Sequence, residues 1–289
     1  MGKILYKIKR ILKTILLIFK IAKKVYKTGG YSLINVSSIN YGKILQGKKI
    51  LVTGGSSGIG LSIAKKCLKE GATVLITGRN EIKLKNVVKT INNPLLNMLV
   101  WDISQIVIGK EKIKEAKELL GGEIDILVNN AGIINNLDFP DVTEELWDKT
   151  YSINSKGTFF LTQLLCRQWI KEDGIGLKKI INISSQGGFV GATYPYRMTK
   201  WDIAGLTQGL GIKLAPLGII VNGIAPGVIS TSMQKKCLEQ KENVYSSINP
   251  INRYALPQEI AELAIFLMSN SSNFIVGQTI VCDGGYSLK

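Results

Sequence analysis

Two periodicities divide the chain. Placed at about 100° per residue, Lys3, Lys7, Lys9, Arg10, Lys13, Lys20, Lys23, Lys24 and Lys27 fall on one side of residues 1–28, and Ile4, Ile8, Ile11, Leu12, Ile15, Ile18, Phe19, Ala22 and Tyr26 on the other. This predicts one amphipathic helix of about seven turns. Residues 28–46, with Gly29-Gly30, polar Ser and Asn and no acid, read as a linker. From residue 47 short apolar runs alternate with longer segments of helical period. The runs at 49–53, 73–77, 97–101, 124–128, 179–183, 219–222 and 278–282 predict strands buried on both faces. Segments such as 59–69, 110–120, 158–170, 195–214 and 257–268 predict the helices between them. The fold class is therefore α/β, a doubly wound seven-stranded parallel sheet preceded by a basic helix. The chain divides into 1–46, helix and linker, and 47–289, one domain. Such sheets bind ligands at the carboxyl ends of their strands.

Composition removes whole chemistries. The 289 residues contain no histidine, which excludes Ser-His-Asp and Cys-His nucleophiles, imidazole metal sites and imidazole acid/base catalysis. Cys67, Cys166, Cys237 and Cys282 are far apart and form no C-x-x-C pair, so no metal site is expected and free thiols in a reducing cytoplasm are. Residues 1–50 hold 12 Lys/Arg and no acid, leaving 25 basic against 21 acidic residues in the rest. The basic excess sits in one appendage, which argues against nucleic acid as partner of the body. The longest uncharged run in the head, Thr14 to Phe19, is far short of a membrane span and of a secretory signal. Tyr6 stands where a myristoylation motif wants Ser or Thr. Residues 1–28 instead suit a helix lying in an anionic membrane surface, which would place the protein at the cytoplasmic face of a membrane. The alternatives are packing on the body or on a second subunit, and an organelle-targeting presequence.

After the first strand comes Thr53-Gly54-Gly55-Ser56-Ser57-Gly58-Ile59-Gly60, leading directly into a helix. Glycines let the backbone approach a pyrophosphate, and the helix N-terminus offers it unpaired N–H groups, the fingerprint of a dinucleotide-binding Rossmann fold. The second strand ends at Thr77-Gly78-Arg79-Asn80 without the carboxylate that would meet a free ribose 2′-OH. Arg79 could pair with a 2′-phosphate, which favours NADP over NAD; its alternative is a solvated residue at a helix start. Asp102, in Trp101-Asp102-Ile103, could accept from an adenine amino group or cap a helix. At the fourth strand, Asn129-Asn130-Ala131-Gly132 can pass close to a cofactor and tie strand ends together.

The fifth strand ends in Asn182-Ile183-Ser184-Ser185, and beyond it Tyr196-Arg197-Met198-Thr199-Lys200 opens a helix. Residues four apart share a helix face, so an ammonium at Lys200 can lower the pKa of the Tyr196 phenol. Tyr194 is a rival phenol with Met198 four residues on. The ordered set Thr53-Gly54-x-x-x-Gly58-x-Gly60, Asn129-Asn130-Ala131-Gly132, Asn154, Ser185, Tyr196-x-x-x-Lys200, Pro226-Gly227 and Asp283-Gly284-Gly285 resembles the short-chain dehydrogenase/reductase family over residues 47–289. Within it, the chain is most similar to the single-domain branch that includes 3-oxoacyl-[acyl-carrier-protein] reductases.

The resemblance implies Tyr196 as acid/base, Ser185 steadying the oxyanion with Ser184 as the neighbour confusable with it, Lys200 depressing the phenol and holding the nicotinamide ribose, and Asn154 anchoring a proton-relaying water. Read on its own, Asn154 is equally a capping or buried amide. Pro226, Gly227, Ile229 and Thr231 would border the nicotinamide. The loop between Ser185 and Tyr196 is about two residues shorter than family members commonly have, which loosens the Ser register. Residues 229–256 mix Met233, Leu238 and Ile248 with Lys235, Lys236, Glu239, Lys241, Glu242 and Arg253, a substrate cover neither greasy nor densely cationic. The function implied is hydride transfer between NADPH and a carbonyl or alcohol on a 3-oxoacyl thioester, sugar or lipid ketone, in a homo-oligomer, with a tetramer the leading state. The alternatives are a nucleotide-bound redox sensor or membrane-tethered scaffold without turnover, and a sugar-nucleotide epimerase or dehydratase of the extended branch.

Overall fold

A computed structural model describes residues 2–28, 38–134, 137–171, 176–230 and 249–288. Seven strands, β1 (Lys49–Val52), β2 (Thr73–Gly78), β3 (Leu96–Val100), β4 (Ile126–Asn129), β5 (Lys178–Ile183), β6 (Ile219–Pro226) and β7 (Thr279–Cys282), form one sheet in the order β3-β2-β1-β4-β5-β6-β7. Every pairing is parallel. The chain reverses direction across the sheet between β1 and β4, and that switch point opens a crevice at the strands' carboxyl ends.

Strand alternation makes two cores. Ile50, Val52, Val74 and Ile76 pack with Ile63, Ala64 and Cys67 of α2 (Gly58–Lys69), Leu84 of α3 (Glu81–Ile91) and Ile260, Ala264 and Ile265 of α8 (Pro257–Met268). Leu51, Leu75 and Leu127 face the other way, onto Ile113 and Ala116 of α4 (Gly109–Leu120) and Leu161, Leu165 and Trp169 of α6 (Thr158–Lys171). Both faces are covered, as a parallel sheet requires. Between β4 and α6, helix α5 (Glu144–Tyr151), capped by the Thr143 hydroxyl, runs into a wide turn of π geometry at Ser152–Gly157. Helix α7 (Pro195–Leu214) starts with proline in its first turn, where the missing N–H costs nothing.

Two boundaries differ from expectation. Strand β6 continues to Pro226, because Gly223–Pro226 pair with β7 although Asn, Gly and Pro break the apolar run. Residues 38–46 belong to the body rather than to a linker. Leu45 is only 1% exposed, and its N–H donates to Glu70 O at 3.1 Å. Lys66 fastens the segment by donating to Ser38 Oγ (3.0 Å) and Ile39 O (2.7 Å), while Glu70 and Glu262 neutralise its charge. Preceding all this, α1 (Gly2–Thr28) forms as the periodicity predicts. No helix among the described residues is long and apolar enough to cross a membrane. Cys67, Cys166 and Cys282 are free thiols; Cys237 lies outside the described residues.

Candidate active site

The nucleotide end is built on Thr53, the last buried residue of the β1 run. Its hydroxyl donates to Val128 O (3.2 Å) and accepts from the N–H groups of Asn130 and Ala131 (3.0 Å each). Asn130 reaches back, donating from Nδ2 to Thr53 O (2.9 Å) and Gly54 O (3.1 Å). This clasp sets the glycine requirement at Gly60, where a Cβ would stand 2.4 Å from Asn130 Nδ2 and 2.6 Å from Gly54 O. Ser57 caps α2 without a side-chain bond and the first turn holds no acid, so the helix end keeps N–H groups and positive dipole for an anion. Ser56 lies beside Gly78, its Oγ 3.6 Å from where a Cβ would be. Arg79 is exposed at the end of β2, and among the described residues no ion pair to it is found. Asn80, not Arg79, caps α3, accepting from Lys83 N at 2.8 Å.

Asp102 closes a local turn rather than capping a helix: Oδ1 accepts from Ser104 N (3.0 Å) and Ser104 Oγ (2.7 Å), and the short helix that follows, Ile106–Ile108, starts from Gln105. The Ile103 side chain belongs to the α4/α6 core, so only its backbone can face a cofactor. Asn129 and Asn182 tie strand ends as expected. Asn129 Nδ2 donates to Asn182 Oδ1 (2.9 Å) and Thr162 Oγ1 (2.8 Å), and Asn182 Nδ2 donates to Thr207 Oγ1 (2.9 Å).

At the other end of the crevice the two adjacent serines part company. Ser184 Oγ is buried and donates to Lys200 O at 2.7 Å. Ser185 Oγ accepts from Gly187 N (3.1 Å) and lies near enough to the Tyr196 phenol to act on it by lowering its pKa. The geometry therefore brings Ser185 to Tyr196 despite the short loop. Lys200 Nζ lies 5.5 Å from the centroid of the Tyr196 ring and donates to Ile183 O at 2.9 Å. Burial lowers the Lys200 pKa to about 8. Burial also holds the Tyr196 phenol above its ordinary value, outweighing the Ser185 hydroxyl, so the net direction is opposite to the depression expected from Lys200. Tyr194 stacks on Tyr196 with ring centroids 6.4 Å apart and lies under the Arg197 guanidinium.

Asn154 sits in the π turn. Its Oδ1 accepts from Ile133 N (2.9 Å), and Nδ2 donates to Ile133 O (3.0 Å) and Thr199 Oγ1 (3.2 Å). These are the bonds of a buried positioning amide. Gly132 lies against it: a Cβ there would stand 3.3 Å from Asn154 Oδ1 and 3.7 Å from Lys200 Nζ. Gly227 N donates to Cys282 O at 2.9 Å, placing Pro226-Gly227 at the end of β6 beside Asp283. Ile229 is buried and bridges to Ala255. Thr231 and the cover residues 231–248 lie outside the described residues. Arg253 is held by Glu259 in a two-pronged pair (2.6 and 2.7 Å), which removes it from the pool of substrate-facing cations.

Sequence reasoning missed Thr199, which links Asn154 to the start of α7 by donating to Tyr196 O, and Gln186. The Gln186 side-chain oxygen is buried without a hydrogen-bond partner and would lie 3.1 Å from a Cβ at Gly227; the Thr77 hydroxyl at the end of β2 is also unpartnered. Orphaned polar atoms are costly unless a ligand meets them. Together with the open end of α2 and the crevice at Gly54, Gly60 and Gly132, they fit a nicotinamide dinucleotide laid across the switch point. Among the described residues no cluster of acids and cysteines could hold a metal.

Residues 54–287 match a family model described as enoyl-(acyl carrier protein) reductase. The chain is 37% identical over 247 residues to the 3-oxoacyl-[acyl-carrier-protein] reductase of Aquifex aeolicus, covering 83% of this chain and 98% of that protein. It is 34% identical to the NAD-dependent glycerol dehydrogenase of Listeria innocua, covering 84% and 94%. Among solved structures, a gluconate 5-dehydrogenase from Burkholderia cenocepacia, in complex with NADP and tartrate, superposes with a TM-score of 0.76 at 30% identity, covering 85% and 97%. On the extent of these matches and the order of its motifs, the chain belongs to the short-chain dehydrogenase/reductase family of oxidoreductases.

Proposed function

We propose that this chain transfers hydride between NADPH and a small carbonyl or alcohol substrate, with Ser185, Tyr196, Lys200 and Asn154 as its working residues. The observation that carries the reading is Lys200 Nζ 5.5 Å from the centre of the Tyr196 ring, with the Ser185 hydroxyl close enough to favour the ionised phenol. The nicotinamide, when bound, supplies or accepts the hydride. The chain's own residues do the rest. In reduction the Tyr196 hydroxyl gives its proton to the substrate oxygen, and a phenol held above its ordinary pKa stays protonated for that task at neutral pH. Ser185 donates to the same oxygen as negative charge builds on it. Lys200, protonated below about pH 8, holds the nicotinamide ribose and offsets the charge left on the phenolate. Asn154 fixes the peptide at Ile133 and the hydroxyl of Thr199, and so the entry of α7 that carries both Tyr196 and Lys200. A water relaying protons to Lys200 would be held by the main chain of this turn, since the amide is engaged.

Arg79, exposed and without an ion-pair partner among the described residues, supports preference for the 2′-phosphate. The names of its relatives, a 3-oxoacyl-[acyl-carrier-protein] reductase and a gluconate 5-dehydrogenase, support a 3-oxoacyl thioester or a sugar as substrate beside the lipid ketone expected from the sequence. A second copy of the chain would cover the groove of about 850 Å³ lined by Tyr151, Phe159, Phe160, Ile203 and Leu206. The competing reading, a nucleotide-bound sensor or scaffold, gives no use to a buried phenol with a lysine ammonium against its ring. The test is oxidation of NADPH and NADH by the whole protein over a panel of acyl-thioester, sugar and long-chain ketones. Turnover with NADPH favoured, and an NADPH KM raised about tenfold by Arg79→Ala with NADH unaffected, is the expected result. Nucleotide binding without turnover of any carbonyl would favour the sensor.

A further inference from the structure

The described structure leaves one large surface unaccounted for, helix α1. Described apolar side chains between Tyr6 and Tyr26 are open: Ile11 is 58% exposed, Ile15 53%, Ile18 59%, Phe19 74% and Tyr26 91%. Nothing in the described body packs on this face, and no acidic side chain among the described residues pairs with the helix. An apolar stripe of this length in water carries a standing cost that some partner must relieve.

We propose that α1 lies in the plane of an anionic lipid surface, its Ile/Leu/Phe face in the acyl boundary and its lysines among the headgroups. Charge selects this partner. The helix carries nine Lys/Arg and residues 1–50 hold no acid, so pairing two copies of α1 would bring two strongly cationic helices together without a counter-charge. The body has a small positive excess as well and offers no compensating field. Nucleic acid would meet the lysines but leave the apolar face in water. A bilayer with acidic headgroups meets both faces at once. Lys13 and Lys20 bracket the apolar run Thr14 to Phe19, which keeps the helix from inserting across the bilayer.

The body is built to be held from this side. Chain entering at Ser38 is fastened to Lys66 of α2 and, at Leu45, to the carbonyl of Glu70 just past the C-terminus of α2. That is the edge where strands begin, opposite the carboxyl ends that carry Tyr196 and Gly54. Attachment through α1 therefore leaves the crevice clear of the tether, and this inference does not depend on the catalytic reading.

The experiment is flotation of the full chain with vesicles of phosphatidylcholine alone and of phosphatidylcholine with phosphatidylserine. The wild type is expected to float with the anionic vesicles and about a hundredfold less with the neutral ones, and to be released by raised salt. Two exposed variants separate the faces. Ile15→Asp with Phe19→Asp removes the inserted side and abolishes flotation; Lys9→Gln, Lys13→Gln and Lys20→Gln together weaken anionic binding about a hundredfold, at about fivefold per basic residue. Turnover of a water-soluble substrate in the absence of lipid is unchanged in both. No flotation of the wild type, equal flotation on both vesicles, or flotation indifferent to the Ile15/Phe19 pair overturns the proposal. So does a lipid-free assembly that sediments as a larger species in the wild type and dissociates in the Ile15/Phe19 variant, because a second copy then covers the face.

Discussion

Ser184 and Ser185 are chemically identical neighbours, yet extended backbone sends successive side chains to opposite sides. One therefore anchors the main chain at Lys200 and the other meets the phenol. The same burial acts in opposite directions on the two titrating groups beside them, raising Tyr196 and lowering Lys200 to about 8. The sign follows directly: Lys200 carries its proton below about pH 8 and loses it above. Because Tyr196 stays protonated over that range, the account predicts that kcat/KM for carbonyl reduction falls as pH rises through about 8. A Lys200→Met variant, lacking the charge at every pH, is expected to be slow with a flat profile there. A wild-type profile flat to pH 9.5, an interval about 1.5 pH units above that pKa, would contradict the assignment. At this scale the spacing Tyr196-x-x-x-Lys200 anticipates the ammonium against the ring, and the family resemblance is what singles out Ser185 rather than Ser184. The spacing could not give the direction of the phenol shift, because burial depends on the packing of Tyr194 and the 3₁₀ turn Gln186–Gly188, neither of which local spacing reveals.

The elements that hold these residues were readable where one period dominates. β1 to β5 are apolar runs and α7 is a long helical segment, so their positions follow from pattern. The second half of β6 and the π turn at Ser152–Gly157 were not, since Asn222-Gly223 and Ser152 to Gly157 carry neither an apolar run nor a clean helical period. Both exist because partners elsewhere complete them: β7 pairs with Gly223–Pro226, and Asn154 within the turn bonds the peptide after β4. The glycine loop behaves likewise. Its spacing was visible, but the reason for Gly60 is the Asn130 amide arriving from β4. Gly60→Ala is accordingly expected to force Asn130 off the carbonyls of Thr53 and Gly54, costing about 1–3 kcal/mol of stability. Nucleotide affinity should fall with it. Thermal melting and NADPH titration read both, and an alanine variant with unchanged melting and affinity would show that the clasp is not what fixes the loop.

Taken as a whole, the molecule keeps its crevice at one end of the sheet and the anchoring of residues 38–46 at the other. The crevice lies where the strands end, and the chain to α1 enters where they begin. Residues 38–46 carry the chain into the body. Their polar composition reads as a linker, but Leu45 reaches the core and a buried lysine, Lys66, collects Ser38, Ile39, Glu70 and Glu262 around one ammonium. Tyr41, Ile44 and Leu45, set at no regular period among polar residues, are too weak a signal to read before the fold exists. The seven strands, the helices between them and the amphipathic head were legible because each rests on a repeated pattern.

The central claim is that Tyr196 moves the proton in a reaction driven by NADPH. The most direct measurement is turnover of a carbonyl substrate by Tyr196→Phe beside wild type, with NADPH binding followed in parallel by nucleotide fluorescence. The phenylalanine keeps the ring beside Lys200 and Tyr194 and removes only the hydroxyl. The account predicts a loss of turnover of about 10²–10⁴-fold with NADPH affinity within about threefold of wild type. Turnover by the variant equal to that of the wild type would contradict it.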